Sequence, residues 1–149
     1  MLNQDYRDML SALNANGVEF LVVGAYALAV HGYPRVTADM DIFIRPSREN
    51  AKRLFTALAE FGAPLEQVSP ADFEAAGTVL QIGVKPRRID ILTGIDGLSF
   101  DEAAEGCDVV DVDGVRVPVI SKVKCVINKR STGREKDRLD AEELERGSR

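Results

Sequence analysis

The chain has 149 residues, 45% apolar and 29% charged, with no Trp and a formal charge of −5. That length suits one domain with a real core, the composition excludes wholesale disorder, and the negative total argues against sequence-independent nucleic-acid binding. No apolar run reaches the roughly 20 residues that span a bilayer, and MLNQDYRDML has no cationic segment followed by an apolar one, so a single cytoplasmic domain over 1–149 is expected.

Tyr6, Met9, Leu10 and Leu13 recur at helical spacing ahead of Gly17, which predicts an amphipathic helix over 4–15. Val18 to Val23 reads as a buried strand, Gly24 breaks it, and Ala25 to Val30 reads as a short buried helix ending at His31-Gly32. Asp39 to Ile44 alternates, with Asp39, Asp41 and Phe43 on one face and Met40, Ile42 and Ile44 on the other. Ser47 caps a helix over 48–61, whose Ala51, Leu54, Phe55, Leu58 and Phe61 form a stripe closed by Gly62.

Ser69-Pro70 opens a short helix, and strands Thr78 to Val84 and Arg88 to Leu92 are joined by Lys85-Pro86-Arg87 as a hairpin. Ser99 to Glu105 reads as a surface helix, and Asp113-Gly114 signals a second hairpin between Asp108 to Val112 and Val115 to Val119. Ser121 caps a helix to about Ser131 with Val123, Val126 and Ile127 apolar, and Gly133 separates it from a charged helix, Glu135 to Glu145. Helices mixed with hairpins indicate an α+β domain with a mostly antiparallel or mixed sheet. Cys107 and Cys125 belong to no CxxC pair, so reduced, packed thiols are expected, and His31 reads as a hydrogen-bonding residue at a helix end.

Two carboxylates on one apolar strand need compensation, because each ionised group taken from water costs several kcal/mol and neighbouring like charges raise each other's pKa. Asp39 and Asp41 share a face with Cα atoms roughly 6 to 7 Å apart. Asp90, between Ile89 and Ile91 on a strand able to neighbour theirs, is the natural third acid. Oxygen-only ligands suit Mg²⁺ or Mn²⁺, and a pair of ions stabilises the attacking and leaving oxygens of phosphoryl-type displacement. Metal: Asp39, Asp41 and Asp90; reaction class: phosphoryl or nucleotidyl transfer. Lys and Arg crowd 122–138, which leaves a local basic face open as an expectation.

Gly24-Ala25, then Arg35-x-Thr37-x-Asp39-x-Asp41, then a lone strand Asp90, resembles the nucleotidyltransferase superfamily of the DNA polymerase β type. The tail, Val119-Ile120-Ser121 through Lys129-Arg130 to Gly133-Arg134-x-Lys136-Asp137-x-x-Asp140, is similar to that of AbiEii-type toxin nucleotidyltransferases and their small relatives. The resemblance implies a palm-like core over 1–120 with a helical segment at 121–146. It implies two Mg²⁺ (or Mn²⁺) ions on the three aspartates and a nucleoside triphosphate donor that releases pyrophosphate. Gly24 and Ala25 would bind phosphate through backbone amides, Arg35 and Thr37 would contact phosphate or pin their loop, and Lys129 would stand against the triphosphate with Asp137 beside it. Asp90 would also accept the proton of the attacking hydroxyl.

The acceptor implied by the toxin-like relatives is a tRNA or other RNA end, with a cognate antitoxin as partner and no membrane. Two further readings stay open: transfer of AMP to a protein side chain, and a non-catalytic partner that keeps the fold.

Overall fold

A computed structural model describes residues 3–33, 39–84 and 87–147. Helix α1, Gln4–Ala15, starts under Asn3, whose side chain accepts from the Tyr6 N–H at 2.9 Å, and it buries Tyr6, Met9, Leu10 and Leu13. Gly17 turns the chain in the left-handed region at φ 65°, and the Val18 N–H bonds back to the Leu13 carbonyl. That donor closes the helix instead of entering the sheet, so strand β1 is Phe20–Val23, two residues shorter than its pattern predicts.

Helix α2, Gly24–Val30, follows β1 with no intervening residue. Strand β2 is Met40–Ile44, and helix α3, Arg48–Phe61, begins at Ser47 and ends at Gly62 in the left-handed conformation, as its caps predict. After a 3-10 turn at Pro70–Phe73 come β3, Val79–Ile82, and β4, Ile89–Leu92, an antiparallel pair shortened where Gly83 turns at φ 83°.

Helix α4, Phe100–Ala104, carries a Ser99/Glu102 capping box. Strands β5, Asp108–Val112, and β6, Val115–Val119, meet at Asp113-Gly114, whose φ values of 53° and 83° match a type I′ turn. Helices α5, Lys122–Ser131, and α6, Glu135–Arg146, complete the chain's described elements.

The strands form one mixed sheet in the order β3-β4-β2-β1-β6-β5, giving the α+β architecture read from the sequence. Neighbours β1/β6 and β2/β4 run parallel; β1/β2, β3/β4 and β5/β6 run antiparallel. The central strands are covered, β1 being buried throughout and β2 at every position except the half-buried Asp41. Helix α1 packs against α3, and α5 against α6.

The tail departs from its apolar pattern: on α5 Cys125 is buried, whereas Val123 and Ile127 are exposed. The face of α6 that is buried carries Asp137 and Asp140 beside Ala141 and Leu144, so the α5–α6 contact is made by charge pairs as well as by apolar packing. Both cysteines are free thiols, and burial pushes Cys125 up to about 11. Among the described residues no helix is long and apolar enough to cross a membrane.

Candidate active site

Parallel pairing of β2 with β4 sets Asp41 directly opposite Asp90, and Asp39 precedes β2 by one residue. Directly paired residues on adjacent strands lie about 5 Å apart, so two carboxylates meet there with like charge. Burial first, then the charges of Asp90 and Asp39, push the Asp41 carboxyl up to about 6, and no described residue donates a hydrogen bond to it. Asp90 is in the opposite situation. Arg88, two residues earlier on the same side of the chain, donates from Nε to Asp90 Oδ1 at 2.8 Å and from Nη2 to Oδ2 at 3.2 Å.

The same guanidinium stands 3.8 Å from Asp39 Oδ2, and the Arg88 backbone N–H donates to Asp39 Oδ1 at 3.2 Å. Tyr6 adds a hydroxyl 3.4 Å from the Arg88 carbonyl, and burial, Tyr26 and Asp39 hold its pKa at about 12. Among the described residues no three ligating side chains already converge as a cage for an ion. The donor set nevertheless suits a hard divalent cation: it is all oxygen, and Asp41 is a half-buried acid with no hydrogen-bond donor among the described residues. Arg88 is the residue that sequence reasoning missed. Its signal was the Arg-x-Asp spacing, which puts a cation on the same strand face as the acid.

Gly24 fits the site sterically. At φ 69°, a Cβ there would overlap Asp41 Oδ2, so the carboxylate occupies space that only glycine leaves. Helix α2 starts at this residue with no side chain capping it, and Ala25 is half-buried in its first turn. Arg35 and Thr37 lie outside the described residues.

Lys129 and Asp137 do come together. Lys129 Nζ lies 3.1 Å from Asp137 Oδ1 and 3.5 Å from Asp140 Oδ2. Asp137 Oδ2 also takes the Arg134 Nε–H at 2.7 Å and lies 2.8 Å from the Thr132 hydroxyl. Burial alone would raise Asp137, but these bonds from Thr132, Lys129 and Arg134 outweigh it and hold the carboxyl below its ordinary value. Lys129 is thus committed to α6, though its charge still reaches Asp41 and lowers that carboxyl.

A cleft of about 470 Å³ opens over Asp41, bounded by Val23, Leu92, Asn128, Thr132 and Arg134. It therefore joins the ends of β1, β2 and β4 to the junction of α5 and α6. A family model described as "Nucleotidyl transferase of unknown function (DUF2204)" matches residues 2–148. The chain belongs to this family of nucleotidyl transferases.

Two solved structures have the same fold as this nucleotidyl transferase. One is a candidate nucleotidyltransferase of Thermotoga maritima, at 16% identity and a TM-score of 0.59, covering 99% of this chain and 91% of that one. The other is ANT(2″)-Ia in complex with adenylyl-2″-tobramycin, at 15% identity and a TM-score of 0.51, covering 97% of each chain. A search of curated proteins finds no match.

The basic face expected of this transferase's tail is largely neutralised within the fold. Arg130 pairs with Glu145, Arg138 with Glu135 and Glu142, and Lys129 with Asp137 and Asp140. The His31 Nε2–H donates to the Ile120 carbonyl at 2.8 Å, the helix-end bond that its position predicts, with Asp108 Oδ2 at 3.9 Å.

Two outcomes follow from this geometry. Gly24→Ala forces Asp41 aside and strains a left-handed residue, so kcat/KM for nucleotidyl transfer is expected to fall by about two orders of magnitude, with a lower melting temperature. Steady-state kinetics showing a near-normal rate would mean that Asp41 need not hold its observed position. Asp137→Ala leaves Lys129 buried with Asp140 as its remaining carboxylate, and urea unfolding should show a loss of about 2 to 4 kcal/mol. The double variant Lys129→Met with Asp137→Leu should recover part of that loss, and an additive cycle would show that the pair is not coupled.

Proposed function

We propose that this nucleotidyl transferase moves a nucleoside monophosphate from a nucleoside triphosphate to a hydroxyl acceptor, using divalent ions held by Asp39, Asp41 and Asp90. The observation that carries the reading is Asp41: a half-buried carboxylate without a hydrogen-bond donor among the described residues, in register with Asp90 and lining an open cleft. Such an arrangement costs stability and is explained by a cation that binds there.

Bound divalent ions would neutralise the triphosphate and lower the pKa of the attacking hydroxyl. In the transfer, the acceptor oxygen bonds to the α-phosphorus as the bond to the bridging oxygen of the β-phosphate breaks, and pyrophosphate leaves. Asp90 would receive the hydroxyl proton once the two hydrogen bonds from Arg88 are released. The Gly24 turn lets phosphate oxygens approach the backbone, with Ala25 supplying an amide. Arg35 and Thr37 are proposed to contact phosphate from their loop, and Lys129, through its field at Asp41, to favour the anionic donor.

Resemblance to the toxin nucleotidyltransferases supports an RNA end as acceptor, and with it a toxin role controlled by an antitoxin. A second reading is a small hydroxylated molecule. It is favoured by the internal pairing of the tail's cations, which leaves little free charge for a polyanion, and by the adenylylated aminoglycoside bound to ANT(2″)-Ia.

Incubation with each α-labelled nucleoside triphosphate, Mg²⁺ and either total RNA, cell lysate or a small-molecule extract discriminates these acceptors, with Asp39→Ala as control. Label in RNA supports the first reading, label in the extract the second, and label in protein would point to AMP transfer onto a side chain. Equal labelling by wild type and Asp39→Ala, or none under any condition, overturns the catalytic proposal.

A further inference from the structure

Arg134 is the one cation among the described residues lining the cleft over Asp41. Its Nε donates to Asp137 Oδ2 at 2.7 Å, and its backbone N–H donates to the Thr132 hydroxyl at 3.2 Å. The two terminal nitrogens donate no hydrogen bond among the described residues, and the side chain is 74% exposed. By contrast, Lys129, Arg130 and Arg138 each have their charged ends on carboxylates. A guanidinium fixed through Nε and open at both Nη atoms is arranged for a two-point contact with an anionic oxygen pair.

We propose that Arg134 is a specificity-determining residue that binds the terminal phosphates of the nucleoside triphosphate. The inference rests on the nucleotidyl-transfer reading. With the α-phosphate at the aspartates, the rest of a triphosphate has to occupy or cross the cleft that Asp41 and Arg134 share. Asp137 acts as the anchor. Buried and held ionised by Lys129, Thr132 and Arg134 itself, it fixes one edge of the guanidinium and leaves the other edge facing the ligand. Lysine at this position keeps a positive charge and loses the fork.

The test is the binding of ATP, ADP and AMP with Mg²⁺ to wild type, Arg134→Met and Arg134→Lys, by titration calorimetry, with melting temperatures to confirm that each variant is folded. Loss of a charge-assisted two-point contact is expected to weaken ATP about 10- to 100-fold in Arg134→Met and to leave AMP within about twofold, with Arg134→Lys in between. The KM for triphosphate should rise far more than kcat falls.

Equal weakening of ATP and AMP overturns the proposal, as does a rise in acceptor KM with ATP affinity unchanged, or a wild type that binds ATP no tighter than AMP. Failure of the underlying reading has a separate signature in the same preparations, because Asp41→Ala would then transfer label as well as wild type does.

Discussion

Asp41→Asn is expected to abolish nucleotidyl transfer, by at least about 10³-fold, while raising the melting temperature of the metal-free protein at about pH 7.5. The two effects have one cause. In the folded chain burial and the charges of Asp90 and Asp39 put this carboxyl at about 6, well above its ordinary value of 3.8. The folded state therefore holds the Asp41 proton more tightly than the unfolded state does. Its contribution favours the fold at low pH, and it is lost progressively as pH rises from about 4 through about 6.

At 1.36 kcal/mol per pKa unit, the ionised group costs up to about 3 kcal/mol at neutral pH, which corresponds to several degrees in a chain of this size. Asn removes the charge at every pH, so the variant's advantage should be present at about pH 7.5 and shrink by about pH 5. Millimolar Mg²⁺ should reverse the order, stabilising wild type and leaving Asn unmoved. Calorimetric scans at both pH values, with and without Mg²⁺, check all of this. Absence of a gain at neutral pH, or an equal Mg²⁺ response in both proteins, would remove the physical basis for a cation site at Asp41.

Arg88→Met is expected to change the same site in the opposite sense. Wild-type Arg88 neutralises Asp90 through two hydrogen bonds and reaches Asp39, so without it three acids share the strand ends with no direct cationic partner on Asp90. The metal-free variant should melt several degrees lower at neutral pH, and Mn²⁺ should restore most of that loss. An ion entering wild type must first separate a charge-assisted pair; in the variant it need not. Mn²⁺ affinity of the nucleotide-free protein, read by electron paramagnetic resonance, should therefore rise about tenfold. Unchanged melting with no tighter Mn²⁺ binding would show that Arg88 and the ion do not compete for Asp90.

Much of the fold was legible in the chain because the signals are local. Ser47 and Gly62 bracket α3 through cap chemistry, Asp113-Gly114 supplies the positive φ values of a type I′ turn, and the stripe of Tyr6, Met9, Leu10 and Leu13 is the buried face of α1. Where a backbone donor is claimed by a neighbouring turn, the pattern overruns the element: Val18 closes α1, and β1 starts at Phe20. The tail was read least well. An apolar pattern cannot say that a helix face is met by Asp137 and Asp140, and the apolar Val123 and Ile127 of α5 face water.

Residue type and spacing determined an α+β domain with acids at strand positions after a glycine turn, and the resemblance those motifs carry pointed to a nucleotidyl transferase. Only the tertiary structure decided which groups meet. Strand order is a non-local choice, and the parallel pairing of β2 with β4 is what puts Asp41 against Asp90 from 49 residues apart in the chain. The same folding places Arg88 on Asp90, ties Lys129 to Asp137, and leaves the Arg134 fork open at the cleft, because the energy of each contact depends on burial and partners that no single segment contains.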